Sequence, residues 1–118
     1  MKRSYLLLVV VLLLSASCTN NENNKMIMGN WKGVEWLGST SNLDAKKASF
    51  TFDDKGNYSF VYDNNKEEGT YKVENDMLFT KPANQQEIMV KIVKLTKDSL
   101  TFIMNRSGQA ETLILIRE

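Results

Sequence analysis

Histidine is absent from this 118-residue sequence, and cysteine and proline occur once each. The missing imidazoles remove His-based general acid–base work, Ser-His-Asp and Cys-His catalytic arrangements, and zinc sites built on His or Cys. One cysteine cannot close an internal disulfide, so its presence needs another reason. One proline argues against a proline-rich linker. No Gly-rich phosphate loop is present, and no cofactor is implied. Adjacent acids occur at Asp53-Asp54 and Glu67-Glu68, beside turn-forming residues. Neither pair follows the Asp-x-Asp-x-Asn-Gly calcium loop, and both read as solvated faces rather than a catalytic carboxylate pair. The expectation is a protein that is not an enzyme.

Charge of one sign is also missing. Fifteen basic residues face fourteen acidic ones, a net charge of +1. Such a balance offers no basic footprint for a nucleic acid. Hydrophobic residues make up 42 % and charged residues 25 %, which suits a globular domain of ordinary composition.

The long apolar run needed to span a membrane is missing too. Residues Leu6 to Leu14 are unbroken apolar, about half the ~20 residues a spanning helix requires. They follow the basic start Met1-Lys2-Arg3 and precede the small residues Ser15-Ala16-Ser17. A basic start, a short apolar core and a small-residue cleavage region make a secretory signal. With Cys18 next, the segment resembles the signal of bacterial lipoproteins. In that family the Cys is acylated and becomes the mature N-terminus. The resemblance implies lipidation of Cys18, by palmitate or similar chains, and a membrane partner reached through that anchor. Thr19 stands where Asp would mark inner-membrane retention, so the expected address is the outer membrane of the cell envelope. Ordinary signal cleavage leaving a free Cys18 is the plainer alternative. Residues 19–25 are polar and Asn-rich, and are expected to form a tether. The expected division is 1–17 signal peptide, 18–28 lipidated Cys and tether, and 29–118 folded domain.

From Met28 onward the hydrophobic pattern has a period near two. Phe50 and Phe52 alternate with Ser49 and Thr51; Tyr58, Phe60 and Tyr62 alternate with Ser59 and Val61; Leu100, Phe102 and Met104 flank Thr101 and Ile103. Eight strands are predicted, near 30–37, 47–53, 57–63, 68–74, 77–81, 87–95, 99–105 and 110–117. Short turn-rich links separate most of them, such as Asp53-Asp54-Lys55-Gly56 and Asn105-Arg106-Ser107-Gly108. One helical turn near 43–47 is the only helix expected. Sequential strands with tight turns give an all-β, up-and-down antiparallel sheet, which loses its edges by closing into an eight-stranded barrel. Ile92-Val93 breaks the phase of the sixth strand and suggests a bulge.

The first strand opens Gly29-Asn30-Trp31 and the last ends at Arg117. With Asp54-Lys55-Gly56-Asn57-Tyr58, Gly69-Thr70-Tyr71-Lys72-Val73 and Leu95-Thr96-Lys97-Asp98-Ser99-Leu100-Thr101-Phe102, the domain resembles the lipocalin-like domains of small bacterial lipoproteins, within the calycin group. The resemblance implies that Trp31 closes the barrel floor with Arg117 packed across it. A guanidinium over an indole face is worth about 0.5–2 kcal/mol.

Two phases are open for the first strand. With regular alternation Glu35 faces inward beside Trp31; with a bulge at Gly33, Trp36 turns inward and Glu35 meets water. Trp36, Tyr58, Phe60, Tyr62 and Tyr71 are candidate ligand contacts, an aromatic wall for an apolar or amphipathic molecule. Core filling is the plain alternative. Met77, Met89 and Met104 are possible adaptable additions to that wall. Asp98-Ser99-Leu100 matches a short O-glycosylation signal on Ser99, against the plain reading of a turn entering a strand. The expected function is a membrane-anchored, non-catalytic binding protein whose barrel holds a small hydrophobic ligand. The alternative is an envelope structural or interaction protein that binds a protein or glycan through the barrel exterior or rim, favoured by a small chain with little room inside.

Overall fold

The computed structural model describes residues 22–38, 43–106 and 108–118. Alternation of apolar and polar residues produces eight strands: β1 (Gly29–Leu37), β2 (Ala48–Phe52), β3 (Asn57–Tyr62), β4 (Asn65–Glu74), β5 (Met77–Pro82), β6 (Ile88–Leu95), β7 (Ser99–Arg106) and β8 (Gln109–Arg117). Each pairs antiparallel with the next, and β8 returns to β1, so the barrel is closed. Closure leaves no sheet edge to template association with another chain. Trp31 pairs with Arg117 at one end of the β1–β8 seam, and Leu37 with Thr112 at the other.

The inward set is mainly apolar. Phe50, Phe52, Tyr58, Val73, Leu78, Val90, Ile92, Leu100, Phe102, Leu113 and Leu115 are buried with Trp31 in one core. Phe50 is its aromatic hub. Its ring lies 4.5 Å from Phe60 and 5.6 Å from Phe52, both stacked, and meets Phe102 edge-on at 5.5 Å. Such ring pairs add about 0.5–1.5 kcal/mol beyond the area they bury.

Two bulges re-aim side chains. The register of β1 against β8 shifts between Gly33 and Glu35. Trp31 and Gly33 are thus buried, Glu35 is exposed, and Trp36 turns toward the interior. Of the two phases open for this strand, the bulged one is adopted. Gly33 is required because a Cβ there would collide with the Ala45 carbonyl, in a 3-10 turn (Ala45–Lys47) that packs on β1. A second shift, between Ile92 and Lys94, falls where the sequence loses its phase.

The polar segment before the barrel departs from the tether expectation and from the expectation of a single helical turn. Residues 22–26 are helical. Asn24 donates through Nδ2 to the Val73 carbonyl at 3.0 Å and accepts from the Val73 N–H at 3.2 Å, and Asn23 donates to the Asn75 carbonyl at 2.9 Å. Ile27 is fully buried. Asparagine richness suggests solvation, but these amides bond to backbone at the end of β4 and in the β4–β5 turn. Ile27 then inserts where the barrel needs a plug.

Candidate functional site

The two ends of the barrel differ. One is sealed. Trp31 is fully buried, and its indole Nε1 donates to the Ile27 carbonyl at 2.7 Å. The Arg117 guanidinium lies 4.2 Å from the Trp31 ring centre. It donates to the carbonyls of Met28 and Met26 at 2.6 Å each and to that of Lys97 at 2.7 Å. The carbonyls that end a helix have no partner within it and carry partial negative charge. A planar cation with a fork of donors suits them, and one residue serves three carbonyls on two chain segments. Gly29 makes the approach possible. Its φ is +122°, and a Cβ there would come within 2.5 Å of an Arg117 Nη. The Gly-x-Trp spacing thus has a local meaning: the glycine leaves room for the guanidinium that covers the indole two residues on.

The other end is open. A cavity of about 530 Å³ occupies the interior above Phe50, Leu78 and Leu113. Its lining includes Ile88 and Met89 at the start of β6, which are 48 % and 58 % exposed. Trp36, Phe60, Tyr62, Phe102 and Met104 form much of its wall. Trp36 meets Tyr62 edge-on at 6.1 Å. Each ring is tethered: the Trp36 Nε1 donates to Glu111 Oε1 at 3.0 Å, and the Tyr62 hydroxyl accepts the Asp44 N–H at 2.9 Å.

Of the five aromatic candidates, the structure brings Trp36, Phe60 and Tyr62 to the cavity. Tyr58 and Tyr71 do not line it. Tyr71 packs edge-on against Phe52 at 4.9 Å, and its hydroxyl donates to the Asp53 carbonyl at 2.6 Å, pinning the β2–β3 turn. Burial pushes its phenol above the ordinary tyrosine range. Tyr58 is buried behind the wall and donates to Glu67 Oε2 at 2.9 Å. Burial first, then this carboxylate, raise its phenol strongly. Met89 and Met104 line the cavity and Met77 does not. Ser99 sits half-buried at the start of β7, its N–H donating to Thr96 Oγ1 at 3.0 Å. Cys18 lies outside the described residues.

Three polar residues at or behind the cavity wall were not among the site residues expected from the sequence, and one of them, Glu67, was expected to be solvated. Glu67 is no solvated acid: it faces inward opposite Phe60 and lines the cavity, while its neighbour Glu68 is exposed and pairs with Lys66 at 3.1 Å. Stepping back by twos from Val73 through Tyr71 and Gly69 lands on Glu67, so alternation carried the signal. Thr80 lines the same wall, 8 % exposed. Glu111 is 5 % exposed behind Trp36. Among the described residues, no group of three or more Cys, Asp or Glu is placed to hold a metal ion.

A closed up-and-down barrel with a sealed floor and an apolar interior reached from one rim is a cup-type β-barrel, an architecture that suggests ligand binding. Residues 27–102 match the model of the lipocalin-like domain family, and the chain belongs to that family. Members are typically non-catalytic binding proteins. No curated protein matches the chain. The matched span ends within β7, while β8 completes the barrel and supplies Arg117.

Proposed function

We propose that the protein is a membrane-anchored, non-catalytic carrier or sensor of a small apolar or amphipathic molecule, held in the cavity of the barrel and tethered through a lipid on Cys18. The observation that carries the binding role is the cavity itself. Its volume of about 530 Å³ falls within the range of small-molecule sites, roughly 300–1,000 Å³, and its wall is mainly aromatic and aliphatic. A barrel of this size could have filled its interior with side chains. Here Val90, Leu113, Phe60 and Trp36 border a space that their side chains leave unfilled.

The two tryptophans supply the assay. Trp36 borders the cavity and Trp31 lies under the floor. A bound molecule should change the emission of Trp36 and raise the melting temperature, and Trp36→Phe should remove the emission change. Native mass spectra against a lipid panel should show one-to-one complexes. A panel that yields neither complexes nor a thermal shift would sink the binding role. The anchor is supported by the residues around Cys18 and is tested separately. The intact mass of the protein from membranes should carry acyl chains on a chain beginning at Cys18, and an unacylated mass would remove it.

A further inference from the structure

Among the described residues, the cavity wall carries a carboxylate and no matching cation, and a second carboxylate, Glu111, is buried behind Trp36. Glu67 lines the cavity, and among the described residues no Lys or Arg does. Lys66, Lys72, Lys81 and Lys91, on the neighbouring strands, are all exposed on the outer surface. One Glu67 oxygen, Oε2, is held by the buried hydroxyl of Tyr58 at 2.9 Å, which fixes the carboxylate against the wall. Thr80, also on the wall and nearly buried, adds a hydroxyl on the adjacent strand β5. Phe60 stands directly opposite Glu67, and Tyr62 and Trp36 border the same space. Aromatic faces attract cations, and a carboxylate accepts hydrogen bonds but offers none.

We infer that the cavity selects a ligand with a cationic, hydrogen-bond-donating head, such as an amine on an apolar chain, seated against Glu67 and the Phe60–Tyr62–Trp36 rings. An anionic head, such as a fatty-acid carboxylate, is rejected. The inference rests on the cup being a binding site and specifies what it takes. Placing a second carboxylate beside Glu67 sets like charges together in a largely apolar enclosure, where Thr80 and Asn105 offer neutral donors but no cation lies between them. An ammonium in the same place gains a charge-assisted hydrogen bond.

The test uses ligands matched in chain and differing in head: decylamine, decanol and decanoate, each below its micellar concentration, read by Trp36 emission and thermal shift. Decylamine should bind best, by about tenfold or more over decanol, the factor a hydrogen bond to a charged group commonly supplies. Decanoate should bind weakest. Glu67→Gln, which keeps an acceptor for Tyr58, should collapse the amine-to-alcohol ratio toward one. Decanoate binding as well as decylamine overturns the inference while leaving the cup reading intact. An unchanged ratio in folded Glu67→Gln overturns it equally. No binding by any of the three overturns both. If Glu67→Gln does not fold, the head-group order on the unaltered protein still decides.

Discussion

At the residue scale, Arg117 bears the heaviest demand. Its three hydrogen bonds go to carbonyls of Met26, Met28 and Lys97, and its plane covers Trp31. Arg117→Met should cost about 2–4 kcal/mol, because the side chain leaves carbonyls without donors and loses the contact with the ring. The midpoint of urea unfolding should fall accordingly, and a change under about 0.5 kcal/mol, the size of an ordinary surface substitution, would contradict the clamp. Gly29→Ala should destabilise by roughly 1–3 kcal/mol from backbone strain at positive φ, with added collision against the guanidinium. The two changes should be less than additive, since removing the guanidinium removes the collision. Tyrosine ionisation gives a pH test. Tyr58 and Tyr71 have phenols raised above 10 in the fold. The stability each lends is therefore complete below pH 10 and fades as pH climbs through the folded value. In an alkaline titration their phenolate absorbance should appear late and together with unfolding. Early ionisation of all tyrosines would contradict their burial.

At the element scale, β-strands were legible and the segment before them was not. Alternation of period two marks all eight strands to within a few residues, because one face of each is buried and the other is wet. β6 betrayed its bulge through Ile92-Val93, and β1 left its phase open because glycine permits both. Asn23 and Asn24 carry no hydrophobic period, since their contribution is a pair of amides bonded to backbone about fifty residues away. Local pattern cannot report such a bond. Of the site, the aromatic wall was half legible: Phe60 and Tyr62 face the cavity, but strand position alone did not separate them from Tyr58 and Tyr71, which lie nearer the sealed end. Ile27 offers the sharpest test of the docked segment. It is fully buried under the floor, so Ile27→Ala should cost about 2–5 kcal/mol. The same change should speed amide exchange in the β4–β5 turn, where Asn23 is bonded. A cost under about 0.5 kcal/mol would show that the segment does not plug the barrel.

At the scale of the whole molecule, the barrel is finished only when β8 meets β1, the two most distant strands in the chain. Folding should therefore be slow for its size, because this non-local pairing must be reached before it is rewarded. A stopped-flow refolding phase in the microsecond range would contradict that expectation. The fastening of residues 22–28 beneath the floor has a geometric consequence for a lipidated chain. From Cys18 to Glu22 is four Cα steps, at most about 14 Å when stretched. A bilayer holding Cys18 must then lie near the Trp31 end, and the rim at Ile88 and Met89 points into the aqueous compartment. Loading would come from soluble donors or facing proteins, not by lateral extraction from the host leaflet. A spin label at Met89 should sense soluble relaxants and ignore lipid-borne ones, and the reverse would turn the molecule upside down.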